Sequence, residues 1–250
     1  MKRKGTSFSG KILKEWKTAL LTQYLNIVIR LFIAGCAAES LNVSKAVPQE
    51  HWFLKMIEKV AEYIHKILEN KTDLEKMILA HLIDTEKYSV YLYKKIKGKE
   101  PPEELRIAAL GHDLERGFRD GKVYEKMYQS DDGFLNKDFL KYHQERSAEI
   151  LADFLKNNHY PYDKIAKVHT LVSNHETGGD FDSNILKDAD SISFFKNNSK
   201  HFIEVKTVES SVKKVLKKLQ WMYNRISFNE AKEAASPYYR DAVLKLEKIK

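Results

Sequence analysis

An all-α fold is predicted by three observations. Only 10 Gly and 5 Pro among 250 residues leave little material for the turns of an all-β protein. Long Leu/Lys/Glu/Ile-rich stretches repeat their apolar residues at three- and four-residue steps. The chain is 43% hydrophobic and 31% charged, which suits a folded protein with a core rather than a disordered one. At this length it can hold one large domain, or a domain with an extension. We expect a helical extension and linker over residues 1–50 and an all-α domain over 51–250. Within that domain, a functional core covers about 70–200, and basic helices cover 200–250.

The elements follow in order. Segment 18–38 is strongly apolar after a basic start, but Gln23, Asn26 and Arg30 break the apolarity that a membrane span needs. It reads as an amphipathic helix; the alternative is a lipoprotein signal, because Ile33-Ala34-Gly35-Cys36 resembles a lipobox. Residues 42–50, with Pro48, read as a linker. From Trp52 a helix is marked by Phe53, Met56, Ile57, Val60, Ile64 and Ile67. Asn70-Lys71-Thr72-Asp73 offers cap chemistry for the next helix, which runs toward Ile96 and closes at Gly98. Pro101-Pro102 opens a third, through Leu105, Ile107, Ala108 and Leu110. An irregular loop is expected over 117–136, then helices over 136–158 and 161–176. Gly178-Gly179 breaks the chain. Two or three helices follow, with Pro237 starting the last.

Charge and cysteine content narrow the function classes. Residues 1–17 carry a net +5, residues 200–250 a net +6, and the stretch between them −3. The basic ends suit solvated helix faces, or contact with nucleic acid. The slightly acidic middle suits a cation site. One cysteine excludes an intrachain disulfide and a cysteine-rich zinc site, and fits a reducing, cytoplasmic compartment. No membrane partner is expected.

The middle holds the candidate ligands. His112-Asp113 places an imidazole beside a carboxylate directly after the apolar run Ala108-Ala109-Leu110. His143 continues the stripe of Leu140, Ser147, Leu151 and Phe154; His175 continues that of Ile165, Val168 and Val172. Buried imidazoles need partners, and a shared metal supplies one for both. With Asp190, the set suits a divalent ion such as Mn, Fe, Co, Ni or Mg, one ion or two. His51, His65, His81, His159 and His201 read as surface or packing residues.

In order and local sequence, these segments resemble the HD-domain metal-dependent phosphohydrolases. "AALGHDLERG" is similar to that family's His-Asp segment, "HQERSAEIL" at 143–151 and "VSNHETGG" at 172–179 to its intervening histidine helices, and "ILKDADSIS" at 185–193 to its closing Asp segment. The resemblance implies a helical bundle and hydrolysis of a small phosphorylated substrate by metal-activated water. It places Glu86 where the family carries its first histidine, because the stretch Glu86-Lys-Tyr-Ser-Val90-Tyr91 matches there. The expected ligand set is therefore Glu86, His112, Asp113, His143, His175 and Asp190, with His81 as the alternative to Glu86. Asp113, Glu115 and Arg116 are the expected catalytic residues: Arg116 as a phosphate contact, Glu115 as a water-positioning base or a helix-end surface residue. Asp188 is a plausible partner for a ligating histidine. Lys122, Arg146 and Arg225 are further phosphate contacts to consider. Trp221, Tyr223, Tyr238 and Tyr239 would offer stacking faces if the partner were nucleic acid.

Overall fold

A computed structural model describes residues 47–68, 73–118 and 135–249. Among them the regular elements are helical and no strand occurs, in agreement with the all-α expectation. The chain divides into two compact units, Met1–Lys71 and Thr72–Lys250. In the first unit, α1 spans Val47–Leu68. It takes in the end of the expected linker, with Pro48 in the first turn, where a missing N–H breaks no intrahelical bond. Met56, Ile57, Val60, Ala61, Ile64 and Leu68 form its buried stripe. The apolar segment 18–38, with its lipobox-like tetrapeptide, lies outside the described residues. No described helix is long and apolar enough to cross a membrane.

The second unit contains α2 (Asp73–Lys97), α3 (Glu103–Gly111), α4 (Lys137–Asn157), α5 (Tyr162–Ser173), α6 (Phe181–Ser193), α7 (Ser199–Glu209), α8 (Val212–Asn224) and α9 (Asn229–Glu247). Its most extensive helix pairs are α2 with α6 and α4 with α5, while α3 packs against α2 and α5. Pro102 in extended conformation starts α3, and Glu103 and Glu104 occupy its first turn, where the helix dipole favours acids. Leu105, Ile107, Ala108, Ala109 and Leu110 are all sealed from solvent, so α3 is the buried axis of the unit. At its end, a Cβ on Gly111 would lie 2.5 Å from Leu151 Cδ2 of α4. A Cβ there would have to displace the Leu151 side chain.

Side-chain caps fix the frames of α4 and α6. Asn136 accepts the amide of Phe139 at the start of α4 (2.9 Å), and Asp180 accepts that of Ser183 at the start of α6 (2.8 Å). A π-turn over Phe194–Asn198 follows α6. The last helix begins at Asn229, not at Pro237, which lies inside it. Its start is instead held from a distance, because Asp188 accepts the amides of Ser227 and Phe228 just before it. Of the expected loop over 117–136, Leu114–Phe118 forms a 3₁₀ turn and residues 119–134 lie outside the described residues.

Candidate metal centre

Two ligand imidazoles are oriented by helix ends. His112 follows the last residue of α3, and its Nδ1 lies 2.9 Å from Ala109 O. His175 stands in the turn after α5, with Nδ1 2.7 Å from Val172 O. Carbonyls in a last helical turn lack an intrahelical donor, so each takes the Nδ1–H of the ring. The consequence for chemistry is direct: both Nε2 atoms are left bare, the form that binds a cation.

A carboxylate does the same for the third ring. His143 Nδ1 lies 2.8 Å from Glu115 Oε2, and its Nε2 lies 2.8 Å from Asp113 Oδ1. Glu115 is fully buried behind this imidazole, and its own amide donates to Ser147 Oγ. It is neither a helix-end surface residue nor a base open to substrate; its carboxylate is spent on His143.

The fourth imidazole belongs to His81 and not to a surface or packing histidine. His81 Nε2 lies 3.3 Å from His112 Nε2, 3.1 Å from Asp190 Oδ1 and 3.6 Å from Asp113 Oδ2. Its carbonyl accepts both Thr85 Oγ1 and Ser193 Oγ, each at 2.8 Å, which pins α2 to α6 at this level. Glu86 stands elsewhere. It lies five residues on, about 140° around the helix, and its Oε1 accepts Arg106 Nε at 2.6 Å. Arg106 is a buried cation on the axial helix and needs a carboxylate there. The expected first ligand is therefore corrected from Glu86 to His81.

The groups His81–His112–Asp113 and Asp113–His143–His175 each bring three donor atoms within 4.8 Å of one another, so buried His/Asp groups here can hold a metal ion. The spacing tests the fit. Two donors each ~2.1 Å from one ion stand about 3.0–3.4 Å apart, and the His81–Asp190 and His81–His112 nitrogen and oxygen distances fall in that range. His81 Nδ1 is buried without a hydrogen-bond partner among the described residues, so no competing bond holds the ring away from the centre.

Electrostatics point the same way. Burial drives the Asp113 carboxyl up, but Arg116, His112 and His143 outweigh it and hold it well below the usual carboxylate range. Arg116 Nε approaches Asp113 Oδ2 at 2.6 Å. Burial opposes a proton on His112, yet Asp113 and Asp190 raise its affinity for one above the ordinary value. That position attracts positive charge. Burial lowers His175 to about 4, so at neutral pH it is an uncharged donor.

Asp190 is ionised, held well below the usual range against burial chiefly by Arg225. Arg225 forms ion pairs with both Asp190 and Glu176 and donates to Ser191 Oγ at 2.9 Å. Glu176, beside His175, and Arg225 thus form a buried assembly touching the centre. Glu176 carries no motif signal, and Arg225 is a structural partner rather than a free phosphate contact. Asp188 reaches no ligating histidine and serves as the cap described above. Arg146 is exposed and paired with Glu149, while Lys122 lies outside the described residues. Of the proposed stacking faces, Tyr223 and Tyr239 stack on each other with centroids 4.2 Å apart.

The centre forms the floor of a cavity of about 720 Å³. His81, Asp113, His143, Glu176 and Asp190 contribute the ligand side; Met77, Phe139, Phe202 and Met222 contribute apolar wall, and Arg116 and Lys218 face in as cations. His201, taken from sequence as a surface residue, also lines it.

Fold and site together define an all-α protein with a buried imidazole–carboxylate centre able to hold a metal ion. Residues 54–246 match the family described as a domain of unknown function, DUF4202, and the chain belongs to that family. No curated protein and no solved structure matches it.

Proposed function

We propose that this protein is a metal-dependent phosphohydrolase of the HD type, cleaving a phosphate ester of a nucleotide or related small molecule in the cytoplasm. The observation that carries this reading is the shared carboxylate: Asp113 belongs to both three-residue ligand groups. One carboxylate between two donor groups suits a pair of ions, with Asp190 completing the first group. Four imidazoles beside two carboxylates favour Mn, Fe, Co or Ni over Mg, which prefers oxygen ligands. Bound there, such ions supply neutralisation of phosphoryl charge and a water acidic enough to attack near pH 7.

The chain's own residues supply the rest. His112 and His175 present bare Nε2 atoms, Glu115 sets the ring of His143, and Arg225 holds Asp190. Arg116 reaches the cavity, where a guanidinium suits phosphoryl oxygens. The apolar wall receives the body of the substrate and limits water. The second reading is a catalytically decayed, metal- or nucleotide-binding module; the His81 imidazole beside His112 supports the enzyme over it. The nucleic-acid reading loses the Tyr223 and Tyr239 faces to their mutual stacking.

The test is elemental analysis of the purified full chain, then hydrolysis of a panel of nucleotides and simple phosphate esters with Mn, Fe, Co, Ni or Mg. Near-stoichiometric metal and turnover are expected, and Asp113→Ala should lose both. Metal without turnover on any ester would favour the binding module. Failure to take up any of the ions would remove the reading altogether.

A further inference from the structure

We infer that Lys218 is a phosphate-gripping residue of this centre, acting with Arg116 on the phosphoryl group; the inference rests on the phosphohydrolase reading above. Lys218 comes from α8, and nothing in its local sequence, Lys217-Lys218-Leu219, sets it apart from its neighbours. The fold does. Lys218 lines the cavity together with Asp113, Arg116, His143, Glu176 and Asp190, whereas Lys213, Lys214 and Lys217 are exposed.

Its ammonium is the cation at the centre that no carboxylate has claimed among the described residues. Arg225 is paired with Glu176 and Asp190, and Arg116 with Asp113. Lys218 Nζ has no hydrogen bond or ion pair there, and its near contact is the face of Trp221, 4.2 Å from the ring centroid. The same ring carries the Arg225 guanidinium at 4.7 Å. Lysine ordinarily extends its head to water and pairs or solvates it. Holding an unpaired ammonium beside two guanidinium groups costs stability, and the cost is recovered when an anion enters between them. Burial also drives the Lys218 ammonium down to about 8.

The charge count supports the same ligand. Asp113, Glu115, Glu176 and Asp190 face Arg116, Arg225 and Lys218, so one divalent ion already leaves the centre net positive. A phosphoryl group supplies the missing negative charge and several oxygens for cations to share.

The test titrates inorganic phosphate calorimetrically into the full chain, metal-free and Mn-loaded, as wild type, K218M and K218R. K218M should bind phosphate about ten- to hundredfold more weakly, the value of one charged hydrogen bond. Its metal content should match wild type and its melting temperature should not fall, because the costly unpaired ammonium is gone, and K218R should retain most of the affinity. In wild-type protein, phosphate should also protect Lys218, but not the exposed Lys213, from an amine-acylating reagent read by mass spectrometry. That arm needs no variant to fold. Equal phosphate affinity in wild type and K218M, or acylation of Lys218 unaffected by phosphate, overturns the inference. If metal fails to bind, the function proposed above falls, while the metal-free titration still decides the role of Lys218.

Discussion

Among the described residues of the second unit, the buried assemblies of Arg106 and Arg225 with carboxylates differ in what they leave over. Arg106 on α3 meets Glu86 on α2 inside the core, away from the cavity. Arg225 meets two carboxylates, Glu176 and Asp190, and the second oxygen of Asp190 stands 3.1 Å from His81 and 3.5 Å from His112. The chemistry of the pairs is the same. The first lies off the cavity and serves packing; the second sets one guanidinium against two carboxylates and opens on the cavity. The candidate metal centre is therefore set apart by surplus acceptors rather than by burial or by an ion pair.

That contrast can be broken experimentally. Without metal, R106Q and R225Q should each lower stability by about 3–5 kcal/mol, because each strands buried carboxylate charge. Adding Mn should restore much of the melting temperature of R225Q and none of that of R106Q. Equal rescue of both, or of neither, would show that the two assemblies are equivalent after all. A ligand swap sharpens it: H81A should cut metal content and activity by more than about 100-fold, beyond the loss typical of a supporting residue. E86Q should be destabilised yet bind metal with unchanged stoichiometry by elemental analysis.

Smaller effects follow at the supports. E115A removes the Glu115 oxygen that accepts the His143 Nδ1–H, and should weaken metal binding about 10–100-fold in a chelator competition. Gly111→Ala should cost about 1–3 kcal/mol in denaturant unfolding by displacing Leu151. Acid should act on the metal-free protein through His175. Burial lowers its folded-state value to about 4, below the 6.5 of the free group. The unfolded chain then binds the proton first, so stability is full above about pH 6.5 and is lost as pH falls toward 4. H175N should flatten that part of the profile.

Much of this centre was legible in the sequence. His143 and His175 lie in register with apolar residues, and helical spacing puts His143 on the inner face of α4 and carries the α5 stripe on to His175 in the turn that follows. The all-α class, the axial run before His112 and the start of α4 at Asn136 follow from equally local rules. His81 met the same standard, since Ile78, His81, Thr85, Ser89 and Leu92 share one line of α2. A short match around Glu86 obscured it. The arginine in Leu105-Arg106-Ile107 was the available signal: a cation within a sealed helix demands a carboxylate, and Glu86 meets that demand. What local sequence did not carry is long-range. Asp188 caps a helix start about 40 residues away, and Lys218 differs from Lys217 only by which face of α8 meets the cavity.

The hydrogen bonds from His112 to Ala109 and from His175 to Val172 have one further consequence. Because a main-chain carbonyl fixes each tautomer, no exchange of the residue at 109 or 172 for another side chain can retune it. The ruler is the length of the helix itself. A single-residue insertion in the last turn of α3 or α5 would turn each imidazole by roughly 100°, scrambling the donor set while leaving every ligand residue in the sequence.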